Sequence, residues 1–481
     1  MKAITIFGKV VLSIAVFLPL GLLAQEDKTI SKTNLLIDED ERIQRLNIQG
    51  FMDFQYMQYE FKSEDSLLKN FFMKNGAFCL NNLNLYFSFN VGDDLLAFSE
   101  MRFLFAPSGI EQSTPVDDGY VYIGEDSSAV DYIIITPYNN LTSDSQATRF
   151  KYGSIFIERA YFEWNAIPYL NIRLGRYLVP YGIWSQDHGA PVLTSVRLPL
   201  LVQTPSQNVG MPQWQTGIEL LGKVNVPGTS IFVDYAAYAG NGISDSDAID
   251  DEADKNKAFG GFLNFKLPLI AKMIDIEFGC SGYQGDRTYI YKKTAIPYIL
   301  FSLNDGTQSI SYDIDYSGYR FYNNQLDTIA MSHIKISVGS LPLDGTLVLQ
   351  SECIQNWVDE DDTRLVDRWG MEKDPEDYIY YGYYLQMEYQ ILGKITPYFR
   401  YEWYKTDSEI ISIVLSVNHI RMYTMGLNIK PYRDVVIKTE WVRFDMQSRG
   451  GWFRLNTDGT YTPFDVDDDI DEYCIAVSFS F

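Results

Sequence analysis

The chain has 481 residues, 21% of them charged and 15% aromatic, with a formal net charge of -24 at neutral pH. So acidic a chain has no general electrostatic attraction for nucleic acid or bare phosphate surfaces. Its four cysteines, at 79, 280, 353 and 474, follow no zinc-ligand spacing and are too few for a disulfide scaffold.

Lys2 and Lys9 precede an apolar run from Val10 to Ala24, and Gln25-Glu26-Asp27-Lys28 follows it. A charged start, an apolar stretch of about fifteen residues and a small residue at its end predict a cleaved export signal over 1–24. The run is too short to span a bilayer comfortably as a helix, and no later run approaches the roughly 18 apolar residues a spanning helix needs. Residues 25–45 are polar, end in Asp38-Glu39-Asp40-Glu41-Arg42 and predict a short periplasmic N-terminal segment.

From Leu46 onward the pattern changes to alternation. Strands are predicted near 46–61, 77–91, 94–106, 155–166, 169–179, 213–224, 229–239, 257–267, 272–284, 328–338, 344–355, 379–390, 394–405, 418–430, 434–446 and 470–481. That is about sixteen, an even number. Short connections such as Gly92-Asp93, Ile167-Pro168, Pro268-Leu269-Ile270 and Leu392-Gly393 alternate with long polar ones such as 107–154, 180–212, 240–256, 285–327, 356–378 and 447–469. A β-sandwich has no reason to sort its loops in this way, whereas a barrel crossing a membrane does.

The faces follow the same logic, because successive side chains of a strand point to opposite sides. Leu83, Leu85, Phe87 and Phe89 alternate with Asn82, Asn84, Tyr86 and Ser88; Tyr381, Tyr383, Leu385 and Met387 alternate with Gly382, Tyr384, Gln386 and Glu388. The last strand sets Tyr473, Ile475, Val477, Phe479 and Phe481 against Glu472, Cys474, Ala476, Ser478 and Ser480. The fold class is therefore all-β: a transmembrane antiparallel up-and-down barrel over 46–481, with short periplasmic turns and long extracellular loops. Parity puts Glu158 and Arg176 on the lipid face, which calls for either a bulge or a position at headgroup level.

On the wet face, Glu100, Arg102, Arg159, Glu163, Arg173, Lys335, Arg400, Glu402, Lys438 and Glu440 are the candidate pore-lining charges. With Lys266, Asp53, Glu219, Asp234, Asp275, Glu277, Glu352 and Glu388, carboxylates outnumber bases, from which a weak preference for cations follows. Glu100/Arg102, Arg400/Glu402 and Lys438/Glu440 stand two residues apart, about 7 Å along the wall, and are expected to pair. Such pairs either set up a transverse field or merely neutralise one another. Segment 180–212 carries Trp184, Asp187, His188 and Arg197 together with apolar Val192-Leu193 and Leu198-Pro199-Leu200-Leu201-Val202. So apolar a loop is poorly placed in solvent, so it is expected to fold inward as a constriction or to pack at a subunit contact.

Ser185, Asp187 and His188 are the residue types of a hydrolytic triad, but neighbours in one loop cannot supply its spaced geometry, and no catalytic residue is assigned. His333 and His419 are read as wall residues. The acidic runs around Asp245, Asp359 and Asp465 lack the EF-hand pattern, so no metal site is assigned; contact with lipopolysaccharide through bridging ions is the alternative to plain solvation. The cysteines fall on separate, non-neighbouring strands and are read as small strand residues.

The stretch Arg173-Leu174-Gly175-Arg176-Tyr177-Leu178-Val179-Pro180-Tyr181-Gly182, with Glu158-Arg159-Ala160 before it, resembles porins of the phosphate-selective O/P type in its Arg-x-Gly strand and Pro-aromatic-Gly loop opening. The aromatic C-terminus, Phe481, resembles the closing strand of outer-membrane barrels. The resemblance implies an outer-membrane porin of a Gram-negative bacterium, a passive channel for small hydrophilic solutes or ions, with outer-membrane lipid and lipopolysaccharide around it, no cofactor, and a homotrimer by resemblance only. Arg159 and Arg173 carry over as pore residues; with carboxylates in excess, phosphate specificity does not. A non-conducting barrel acting as an adhesive or structural scaffold is the alternative, and an outer-membrane hydrolase the more remote one. The segment before Leu46 is too short for the plug of an energised transporter.

Overall fold

A computed structural model describes residues 46–62, 76–91, 94–104, 121–123, 130–133, 154–185, 189–203, 211–244, 257–270, 273–292, 320–360, 365–366, 372–373, 377–406, 419–455 and 461–481. The expected signal (1–24) and lead-in (25–45) lie outside the described residues, as do Asp187, His188 and the acidic run 245–252. Sixteen long strands form the barrel: β1 (Leu46–Phe61), β2 (Ala77–Val91), β3 (Leu95–Leu104), β4 (Ser154–Ile167), β5 (Leu170–Leu178), β6 (Trp214–Asn225), β7 (Phe232–Gly240), β8 (Ala258–Ile270), β9 (Ile274–Lys292), β10 (Arg320–Leu341), β11 (Gly345–Glu360), β12 (Tyr378–Gln390), β13 (Ile395–Thr406), β14 (His419–Tyr432), β15 (Val435–Leu455) and β16 (Tyr461–Ser480).

Each strand pairs with the next in sequence, and the sheet closes where β16 runs antiparallel to β1 from Phe51 opposite Ser480 to Phe61 opposite Ile470. The seam is finished by a reciprocal pair of backbone bonds between Gly50 and Phe481, each 2.9 Å. Closure leaves no strand edge unpaired, the condition for a sheet to sit in hydrocarbon.

The hydrophobic pattern is inside out. Phe162, Ile218, Leu385, Met425 and Ile475 are exposed on the outer face, while Asp53, Asn84, Glu219, Gln350, Glu388 and Arg400 are buried inside. Alternation forces this sorting: within β12, exposed Leu385 and Met387 flank buried Gln386 and Glu388. Trp164, Tyr169, Phe232, Tyr432 and Phe481 are exposed near the short-turn end, where amphipathic rings suit a membrane interface. The turn at that end between β12 and β13 is a tight hairpin with both central residues at positive φ, Leu392 at 52° and Gly393 at 63°.

The strand ends depart from the sequence reading. β9, β10, β15 and β16 run to Lys292, from Arg320, to Leu455 and from Tyr461, so the loops expected at 285–327 and 447–469 are much shorter. The missed parts do not alternate, as in Tyr289-Ile290-Tyr291, Trp452-Phe453 and Asp465-Val466-Asp467-Asp468-Asp469, so the ladder continues after the alternation has ended. At the other end β8 continues through Pro268 to Ile270, past the turn expected there.

Glu158 is explained by a bulge. Glu100 stands opposite Arg159 but Met101 stands opposite Ile157, which leaves Glu158 as the extra residue. The bulge turns Glu158 into a buried position beside Arg102, 3.7 Å away. Arg176 differs: no register shift separates it from exposed Leu174, yet it is buried with its guanidinium over the Trp214 ring at 4.8 Å. The four cysteines are unpaired, on β2, β9, β11 and β16.

Candidate constriction of the lumen

The segment after β5 turns inward instead of outward. Val179 still bonds to the partner side, its N–H donating to Gln213 O at 3.0 Å, and Pro180 then follows with no N–H for the ladder. Gly182 takes φ +54°, and a Cβ there would collide with the Glu352 carboxylate on β11. That close approach lets the Ile183 N–H donate to Glu352 Oε1, while Trp184 Nε1 donates to the Tyr384 hydroxyl at 3.1 Å. Burial, and then the Glu352 charge, push the Tyr181 phenol well above its ordinary range, so it stays neutral.

Residues 189–203 continue across the lumen. Thr194 Oγ1 donates to Glu388 Oε2 at 2.8 Å, the Val196 N–H to Glu440 Oε2 at 2.9 Å and the Leu200 N–H to Glu402 Oε2 at 2.5 Å. Arg197 donates to the Tyr59 hydroxyl at 3.0 Å and forms an ion pair with Glu472. Burial works against the Arg197 charge, but Glu472 together with Tyr59 and Glu440 more than offsets it and holds the guanidinium above the usual arginine range. In return the wall donates to loop oxygens: Arg400 Nη1 to Ser195 Oγ at 2.9 Å, Lys438 Nζ to Ala190 O at 2.5 Å and to Ser195 O at 2.9 Å, and Asn428 Nδ2 to Thr194 O at 3.1 Å. The anchors span seven consecutive strands, from Glu352 on β11 round through the seam to Tyr59 on β1.

Packing supports the polar anchors. Tyr181, Trp184, Leu193, Leu201, Val202 and Met211 of this segment are buried against inward-facing wall residues that include Tyr238, Tyr283, Met331, Tyr384 and Tyr404. At about 1.5–3 kcal/mol for each fully buried large apolar side chain, this cluster outweighs any single anchor. The apolar runs of the segment therefore meet an apolar patch inside the barrel.

Among the sequence-selected charges, Arg400 and Glu402 pair at 2.7 Å as expected. Glu100 instead takes Arg159 at 2.5 Å, and Arg102 turns to Asn82 at 2.8 Å and to Glu158. Cross-strand partners are nearer than partners two residues along one strand, which accounts for the change. Lys438 and Glu440 each bond to the inserted segment. Arg173 is clamped by Glu163 at 2.7 Å and Glu219 at 2.5 Å, and Lys335 is half-buried opposite Glu277 and Gln350. Trp184 and Arg197 are brought to the wall; Ser185 is buried and accepts the Tyr181 N–H at 3.0 Å. His333 is stacked on Phe262 and bonded to Asn264, and His419 contacts Gln447, so both serve as wall residues.

The excess of lumen carboxylates is therefore not an excess of water-facing charge. Glu352, Glu388, Glu402, Glu440 and Glu472 are all buried and hold the inserted segment. Tyr59, Tyr384, Asn428 and Glu472 were not singled out as site residues; their wet-face parity was the available signal.

No family model matches the chain, and no curated protein matches it in sequence. Several solved barrels are similar in structure. The anion-selective porin of Comamonas acidovorans aligns over 91% of this chain and 99% of its own at 10% identity and a TM-score of 0.46. OmpT of Vibrio cholerae aligns over 91% and 98% at 8% identity and 0.45, and Pseudomonas putida OprB over 92% and 96% at 10% identity and 0.44. At such identities and scores these likenesses decide nothing about this chain's solute.

Proposed function

We propose that the chain is an outer-membrane porin: a passive, water-filled diffusion channel for small hydrophilic solutes, narrowed by residues 180–212. The observation that carries this reading is the inserted segment itself, tied to polar and charged side chains on seven strands inside a barrel whose outer face is apolar. A scaffold needs neither a polar interior nor an ordered crosspiece within it. The half-buried Arg102, Arg159, Glu163, Lys266, Glu277 and Lys335 border the part of the lumen left beside that crosspiece. The barrel lies with its short turns in the periplasm and its long loops outside.

Vesicles carrying the purified protein are expected to swell in isotonic small polyols at rates that fall with solute size. Swelling no faster than in protein-free vesicles contradicts the reading and favours a closed barrel, for which the apolar cluster between segment and wall is the supporting observation.

A further inference from the structure

At the margin of the inserted segment, aromatic residues face the lumen on neighbouring strands. Tyr86 on β2, Phe98 on β3 and Tyr161 on β4 are half-buried, with centroid distances of 6.3 Å between Tyr86 and Phe98 and 5.2 Å between Phe98 and Tyr161. Phe51 on β1, 6.2 Å from Tyr86, is buried beside Gly189 of the inserted segment and closes the row at that end. Parity makes this unusual, because the wet face of the same strands otherwise carries Asn82, Asn84, Glu100 and Glu163.

The register places polar rows on both sides. Phe98 is directly opposite Tyr161; two residues along on one side Glu100 is opposite Arg159, and on the other Glu163 is opposite Arg173, itself opposite Glu219. Each polar row thus lies about 7 Å from the aromatic step. Beyond Tyr161 the next strand offers Gly175 directly opposite, and the ring packs against the apolar cluster that includes Tyr177. The charges are neutralised locally: Arg159 meets Glu100 at 2.5 Å, and Arg173 meets Glu163 and Glu219 at 2.7 and 2.5 Å. The guanidiniums of Arg159 and Arg173 also lie 5.2 Å from the Phe98 ring centre and 4.3 Å from that of Tyr161, which holds the rings in place.

We infer that this strip is a contact site for neutral carbohydrate, a solute with apolar C–H faces and a rim of hydroxyls. The C–H surface fits the aromatic step, and the hydroxyls reach carboxylates and guanidiniums on either side. A small anion or cation gains little here, because each guanidinium is already matched by a carboxylate and inserting a like charge disrupts the pair. The inference rests on the channel reading and assigns that channel a solute class.

The test is current through single wild-type channels in a planar bilayer titrated with maltotriose, with gluconate as the charged comparison. Maltotriose is expected to reduce the open-channel current saturably, well beyond its effect on bulk conductivity, and gluconate is not. Phe98→Ala and Tyr161→Ala are expected to weaken that block by about tenfold each, with open conductance kept or raised, and Phe98→Tyr to restore it. Current that tracks bulk conductivity alone, equal block by gluconate, or block unchanged in both alanine variants overturns the inference while leaving the channel intact. If no channel opens at all, the channel reading fails by itself. Calorimetric titration of the detergent-solubilised protein with maltotriose then decides the strip: heat lost in Phe98→Ala supports it, and no heat from the wild type overturns it.

Discussion

Gly182 and Arg197 show how much of the lumen depends on single residues. Alanine at 182 meets both a left-handed backbone and the Glu352 carboxylate, so Gly182→Ala is expected to lower stability by about 1–3 kcal/mol, read from the urea midpoint of the protein in lipid vesicles, and to loosen the segment so that conductance rises. Removing the Arg197 guanidinium strands Glu472, a buried carboxylate. Arg197→Ala is expected to cost about 3–5 kcal/mol, and Arg197→Met with Glu472→Leu to recover most of it, because the second change removes the stranded charge. No recovery in the double variant contradicts the pairing. These dependencies were only partly legible in the sequence. Parity put Glu352, Glu388, Glu402 and Glu440 inside, but nothing local to a strand says which carboxylate a loop from the opposite wall will meet. Parity marks Glu158 as an exception but does not choose between a bulge and a headgroup position, since the extra residue in β4 is located only against its partner strand.

The elements themselves were far more legible, and the reason is the solvent on each side of the sheet. A strand between hydrocarbon and water must sort its side chains, so Leu385 and Met387 against Gln386 and Glu388 gave β12 almost to the residue. Where both faces meet water the constraint lapses, and the outer parts of β9, β10, β15 and β16 could not be read. The inserted segment was legible through its apolar content at Val192-Leu193 and Leu198–Val202, although its partners were not. Two tests belong to this scale. Leu392 sits exposed at φ 52°, a conformation glycine adopts freely, so Leu392→Gly is expected to stabilise by up to about 1 kcal/mol, measured as a higher urea midpoint. Deleting 189–203 removes the crosspiece but no strand, so the variant is expected to retain barrel circular dichroism and conduct several-fold more current; unchanged current contradicts its role as the constriction.

The whole molecule combines two opposite sortings, apolar residues outward to face lipid and polar residues inward, and it spends many of the inward charges on fixing its own crosspiece. With Glu352, Glu388, Glu402, Glu440 and Glu472 buried, the simple excess of wall carboxylates overstates the field a solute meets. Reversal potentials across a salt gradient are accordingly expected to stay near zero, with neither ion strongly favoured; a strongly selective potential of either sign contradicts this charge assignment. The central claim is that the barrel is open and that residues 180–212 set its width. The most direct measurement is single-channel conductance of the purified full-length protein in a planar bilayer: discrete, reproducible steps that enlarge when 189–203 are deleted are expected, and a silent bilayer for both proteins contradicts the account.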